Sequence, residues 1–505
     1  MTHDRDTAID LARTHGHGLV AGSARTSGDL TVWAERDVDG ARLAVAAVEP
    51  GALSAFTGQR HHAGDVTLVR GAFDAPNLAA LRGALPNLRP VPLGTLASAG
   101  FGDRLGLATP GHVDAMRATG AERSVAAIFA QQSMRENART GRTPSEVLDD
   151  ATAGAFLTGW RHPVGADADH LKTEADVDLC LAAGFSMFTI DPGDHVVDAA
   201  DDLHGGALRE AFEQRVPWDA LETSPGDLLQ RLAERSIDLG DRALVLTPEA
   251  LERAAVKYGA AVAHVARMVR HLRGQTRPER AEVEVSVDET ATPTSLAEHG
   301  YLALELGRLG VDWVSLAPRF VGAFEKGVDY IGDLAALARD LQGHARVAEA
   351  LGGYKLSLHS GSDKFAVYPI AAQATAGRVH LKTAGTSYLE ALRVAGAAQP
   401  DLFRSIIELG LERFEHDVKS YHISGRPAGV PDPDALPGTA LLALLEQRDA
   451  RQVLHVTFGS ALQRFGDDLR TLLQRHETDY RAALRRHFER HLAPFVTHAH
   501  EEVRT

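Results

Sequence analysis

EVEVSVDE (282–289) sets Val283, Val285 and Val287 against Glu284, Ser286 and Asp288. That period of two marks an extended strand whose alternate side chains point to opposite faces. The parity recurs in YKLSLHS (354–360), where Lys355, Ser357 and His359 alternate with Leu356 and Leu358, and in VHLKT (379–383), where His380 and Lys382 alternate with Val379 and Leu381. If the aliphatic residues pack under helices, all three polar sets turn toward one common axis.

Outward from these three strands (283–288, 354–359 and 379–383), five more short apolar runs repeat the design, at 105–109, 125–130, 160–167, 187–191 and 313–317. Each of the eight leads into a polar loop and then a segment of helical periodicity. Ser295 with Glu298 and Thr173 with Asp176 read as capping boxes opening two of those helices, and Gly184 reads as the stop of the second. Strands alternating with helices imply right-handed βαβ units and a parallel sheet. Eight units close a (β/α)8 TIM barrel, and the span from residue 99 to 386 suits that α/β fold with one insertion. A doubly wound open sheet is the main rival.

The expected organisation is an N-terminal α/β domain (1–98), the barrel (99–425) with a helical insertion after the fourth strand (197–280), and a C-terminal helical extension (426–505). With 53 Lys+Arg against 68 Asp+Glu the chain carries a net charge of −15, which argues against nucleic acid as a partner. No apolar run approaches the roughly 18 residues that a membrane span requires. The first thirty residues lack the apolar core of a signal peptide, and the only cysteine, Cys180, rules out an internal disulfide. A cytoplasmic enzyme is expected, with homo-oligomerisation open.

Barrel enzymes carry their chemistry at the C-terminal ends of the strands. Those ends are crowded here: Asp169, His170 and Lys172 after the third, Asp191, Asp194 and His195 after the fourth, Arg319 after the sixth, Asp363 and Lys364 after the seventh. Burying so many ionisable groups is costly unless they pair or hold an ion. A divalent cation of the zinc, manganese or cobalt class is therefore expected, with His170, His359 and His380 as ligands and an open position for substrate. Asp194 with His195, and Glu325, are rival ligands. Asp169 and Glu284 are the expected acid/base pair; the structural alternative for Glu284 is a buried ion pair with Lys355 or Lys382, and Asp288 or Glu289 could replace it. Lys172, Arg319, Lys364 and Lys382, beside the Gly/Ser/Thr-rich loops SGSDK and TAGTS, would hold an anionic substrate. The C-terminal histidines 476, 487, 491, 498 and 500, and His61 and His62, read as solvated.

Six stretches, GADADHLKT (165–173), FTIDPGDHV (188–196), EVSVDET (284–290), VSLAPRFVGAFEKGVDYIGD (314–333), YKLSLHSGSDKFAVYP (354–369) and HLKTAGTSYLEALR (380–393), resemble the tagaturonate epimerase family of hexuronate catabolism, some members of which are used as tagatose 4-epimerases. The resemblance covers about residues 100 to 425. It implies divalent-metal-dependent interconversion of D-tagaturonate and D-fructuronate, with an Asp-His pair at Asp169 and His170, a glutamate at Glu284 and a metal histidine at His359; His380 rests on strand parity alone. The inverted carbon lies one beyond the position α to the ketone, so enolisation cannot invert it and retro-aldol cleavage can. In that scheme the metal stabilises an enediolate, Asp169 or Glu284 takes the carbinol proton, and Arg319 or a rim lysine retains the carboxylate. A metal-dependent aldolase or aldose–ketose isomerase would use the same site and differ in its products. A non-catalytic sugar-acid binding protein would tolerate Glu284→Gln.

Overall fold

The structure, a computed structural model, describes residues 18–37 and 40–501. Eight parallel strands close on themselves: β1 (Ser98–Phe101), β2 (Ala126–Ser133), β3 (Val164–Leu171), β4 (Met187–Ile190), β5 (Glu282–Val287), β6 (Ser315–Pro318), β7 (Lys355–Leu358) and β8 (Val379–Thr383). Closure is direct, with His380 of β8 in register with Ser98 of β1. The valines of β5 are buried against the helical layer while Glu284 and Ser286 face the axis, so strand parity holds. Both capping boxes form, and Gly184 ends its helix at φ 96°.

Two strands differ from expectation in ways that matter for the site. The first is SAGF rather than 105–109. Its small residues hide the alternation, whereas the more apolar 105–108 stretch is bent into a turn by the Asp103 carboxylate, which accepts from the N–H groups of Leu105, Gly106 and Ala108. The third strand starts after Pro163, which has no N–H to give a ladder, and runs on to Leu171. Its register against β4 shifts between Ala168 and Leu171, and His170 adopts φ 54°. That irregularity puts Asp169 and His170 inside the strand and re-aims both at the barrel mouth.

The N-terminal region is a six-stranded antiparallel sheet followed by the helix Ala75–Ala84. The insertion holds three helices, Gly205–Gln214, Pro225–Leu232 and Pro248–Gln275, together with a small hairpin that the sequence did not signal. The C-terminal extension does not trail away. Its last helix, Glu477–Glu501, lies along the helix Thr109–Thr119, joined by the Arg481–Asp114 ion pair. It buries His487 and His491, correcting their reading as solvated: four residues apart, they share the helix face that meets the loop after β7. The side chains of His498 and His500 lie outside the described residues. No helix among the described residues is long and apolar enough to cross a membrane.

Candidate active site

At the C-terminal mouth of the barrel a cavity of about 410 Å³ opens between the loops after β5, β6 and β7 and the segment around Tyr421. Asp288, Arg319, Lys326, His359 and Ser360 contribute to its wall. A smaller pocket of about 30 Å³ continues inward, sharing Lys326, His359, Ser360 and Tyr421 and adding Asp169, His170 and Lys382.

Beneath this mouth lies a dense charge network built by the inward-facing residues. The Lys382 ammonium of β8 sits 2.7 Å from Asp169, 2.8 Å from Glu284 and 2.9 Å from Asp167, and donates to Thr189 at 2.7 Å. His359 meets Glu284 through Nε2 at 2.6 Å and Asp288 through Nδ1 at 3.2 Å. His170 Nδ1 lies 3.2 Å from Asp191, and its ring meets that of His359 edge to face at 5.0 Å. Gln131 donates to the outer oxygen of Asp169 at 2.9 Å.

Charge balance follows from that list. Burial alone would raise the Glu284 carboxyl, but Lys382 and then His359 outweigh it and hold the group well below its ordinary range. Burial would lower the Lys382 ammonium; Asp167, Asp169 and Glu284 together push it well above. The imidazole of His170, which burial would also lower, is raised to about 10 by Asp169 and Asp191. His359 is raised too, burial and Lys382 being overcome by Asp288 and Glu284. Acid groups thus exceed what Lys382 neutralises, and the two histidines are driven to take up positive charge.

One ligand atom each from Asp169, His170 and His359 lies within 4.8 Å of the others, so these three could hold a metal ion. Two imidazoles and a carboxylate are donors that divalent transition ions accept. A second observation fits a cation: the Glu284 Oε2 atom is buried with no hydrogen-bond partner, in a region already rich in negative charge.

The sequence-derived residues separate here. Asp169, His170, His359 and Lys382 converge. His380 does not join them, since its Nδ1 meets Ser98 at 2.9 Å and its Nε2 meets Asp167 at 3.3 Å, one layer deeper in the barrel. Parity had the side of the strand right, but not the depth. Glu284 is fully buried and lines neither pocket; the ion pair with Lys382, weighed as its structural alternative, is present. The carboxylate that reaches the cavity from the end of β5 is Asp288, four residues on. Arg319 lines the main cavity, and among the described residues its guanidinium has no hydrogen bond or ion pair. Lys172 sits outside both pockets, paired with Asp194 at 2.7 Å. Lys364 is wholly buried, its ammonium spent on three main-chain carbonyls, and burial pushes it down to about 7.

Several lining residues were missed. Arg104, buried and paired with Glu136, stands just before the 105–109 stretch expected as the first strand. Tyr421 lies past the last barrel helix and His455 in the C-terminal extension, where no local pattern announces a barrel site. Lys326 stood inside a quoted motif, next to Glu325, yet lay too far beyond its strand to be weighed.

A family model described as tagaturonate epimerase matches residues 42–495. The tagaturonate/fructuronate epimerase of Thermotoga maritima is 43% identical over 449 residues, covering 89% of this chain and 90% of that protein. The native crystal structure of fructuronate-tagaturonate epimerase from Cohnella laeviribosi superposes with a TM-score of 0.87 at 32% identity, covering 97% of this chain and 99% of that one. A glycerol complex of that Cohnella enzyme gives a TM-score of 0.88, also at 32% identity, over 98% of this chain and 99% of the other.

Proposed function

The chain belongs to the tagaturonate epimerase family and is an isomerase; from that premise we propose that it interconverts D-tagaturonate and D-fructuronate with a divalent cation held by Asp169, His170 and His359. The observation that carries this reading is the meeting of those three donors in the inner pocket, which shares His359 with the main cavity where Arg319 and Lys326 stand. When bound, the cation supplies Lewis-acid polarisation of the substrate ketone.

The chain's own residues do the rest. Asp288, ionised and facing the cavity, takes the proton from the hydroxyl at the centre to be inverted. The electron pair of that O–H becomes the carbonyl of an aldehyde fragment, the adjoining C–C bond breaks, and its electrons pass to the ketone oxygen of the other fragment as an enediolate. The cationic rim of the main cavity retains the carboxylate end while the aldehyde turns its opposite face. The C–C bond re-forms, and Asp288 returns the proton to the new alkoxide. Lys382 and Glu284 touch no substrate in this scheme; they fix Asp169 and His359 in place.

The test uses protein stripped with chelator, given D-fructuronate and one divalent ion at a time, with the sugar signals followed by NMR. D-Tagaturonate should accumulate only in samples with an effective ion. Absence of any new ketouronate under every ion refutes the epimerase reading, and full turnover after stripping refutes the metal.

A further inference from the structure

Glu325, Lys326, Gly327 and Val328 follow β6 in an irregular segment in which every main-chain carbonyl is captured by a side chain from elsewhere in the fold. The Lys364 ammonium donates to the carbonyls of Glu325 at 2.8 Å and Val328 at 2.6 Å. The Gln452 amide donates to that of Lys326 at 3.2 Å, and the Arg451 guanidinium to that of Gly327 at 2.6 Å. The Glu325 carboxylate is held as well, by the N–H and hydroxyl of Ser424 at 3.0 and 2.7 Å and by Gln452 at 2.9 Å.

A surface loop has no need of this. Water satisfies loop carbonyls, whereas burying an ammonium to do so is costly. The frame therefore has something to hold still. The one charged side chain of the segment without a partner among the described residues is Lys326, and it lines both the main cavity and the inner pocket that holds the Asp169–His170–His359 wall. Arg319 reaches only the main cavity. The other cations of the inner pocket are committed: Arg104 to Glu136, Arg135 to Glu289 and Lys382 to its three carboxylates. A fixed backbone carrying one uncommitted ammonium recognises an anion with little ordering left to do.

We propose that Lys326 is the residue that recognises the substrate's carboxylate, and that Lys364, Arg451 and Gln452 are positioning residues acting through it. The inference rests on the ketouronate reading of the site and sharpens it, since the carboxylate is the one feature separating a ketouronate from the neutral ketohexose with a hydroxymethyl group in its place.

Three variants test it. Loss of a charge-assisted contact predicts that K326Q raises the KM for D-fructuronate by about 10- to 100-fold with kcat little changed, and that K326R keeps most of the affinity. Q452A, which frees the Lys326 carbonyl, should raise KM by less and also spare kcat. An unchanged KM in K326Q, or a loss confined to kcat, overturns the proposal. Wild-type turnover separates the two readings. If wild type converts no ketouronate, the epimerase reading fails, and calorimetric titration of D-fructuronate into wild type and K326Q still decides this one. Tighter binding by wild type upholds it; equal binding, or none to wild type, overturns it.

Discussion

Two clusters in this fold share one outline, an aspartate and two histidines with ligand atoms within 4.8 Å: Asp169 with His170 and His359 at the barrel mouth, and Asp363 with His487 and His491 beneath the loop after β7. Hydrogen-bond satisfaction separates them. In the second, Asp363 meets His487 at 2.6 Å through one oxygen and Arg451 at 3.0 Å through the other. His491 accepts from the Asp363 N–H at 3.1 Å, its other nitrogen meets the His487 carbonyl at 3.1 Å, and the outer nitrogen of His487 lies 3.4 Å from Glu390. Nothing is left over. At the mouth, five carboxylates crowd Lys382 and the imidazoles of His170, His359 and His380, with Lys172 3.9 Å from Asp191, and Glu284 Oε2 has no partner. Closeness of ligating side chains is thus a poor guide to chemistry; uncompensated charge and unmet hydrogen bonds are better ones.

Substitutions in the two clusters should act on different properties of the protein. His359→Ala and His170→Ala should each lower kcat/KM by about 10²- to 10³-fold or more, since each removes a donor that would hold the metal beside the reacting atoms. His487→Ala should leave kcat/KM near wild type; if it loses as much turnover as His359→Ala, the second cluster belongs to the active centre. The largest stability effect belongs to Asp363→Asn, which removes a buried carboxylate from the partly buried Arg451 guanidinium and from His487 and should cost about 3 kcal/mol in denaturant unfolding. An unchanged midpoint would show that the clasp carries no load. Glu284→Gln comes next, with kcat down about 10- to 100-fold and weaker metal retention, the effect expected of a group that orients a ligand.

The two clusters also differ in how far the sequence exposed them. Strand alternation around Glu284, His359 and Lys382 carried the barrel and three walls of the mouth, because a period of two allows only one inward set. It carried no depth, so His380 and His359 looked equivalent although one lies a layer below the other. The irregularity in β3 that turns Asp169 and His170 together has no sequence signal beyond the pair itself. Asp363–His487–His491 was invisible because its partners are more than 120 residues apart. On the helix Glu477–Glu501 the two histidines stand among Arg and Glu, and only the packing of that helix decides which face is buried. Lys326 failed for a related reason: its role comes from captured carbonyls, and side chains at 364, 451 and 452 leave no mark on the local pattern at 325–328.

The smallest test sharpens the contrast through pH. Burial in the clasp, reinforced by the charge of neighbouring His487 and opposed by Asp363, lowers the His491 imidazole to about 3. In the unfolded chain the same ring takes a proton near its ordinary value of about 6.5. Between those two values the unfolded state holds more protons than the folded one, so stability rises with pH. This contribution is therefore present in full above about pH 6.5 and is lost progressively as pH falls toward 3. From pH 7 to pH 6 it amounts to on the order of half a kcal/mol. Other buried neutral histidines, His112 and His344 among them, share the same direction, so the measurement is a difference: wild type and His491→Gln are melted at both pH values, and the variant should lose less on acidification. Equal losses would mean that the folded clasp accepts a proton at His491 near neutrality, and the two clusters would then differ in position but not in electrostatic kind.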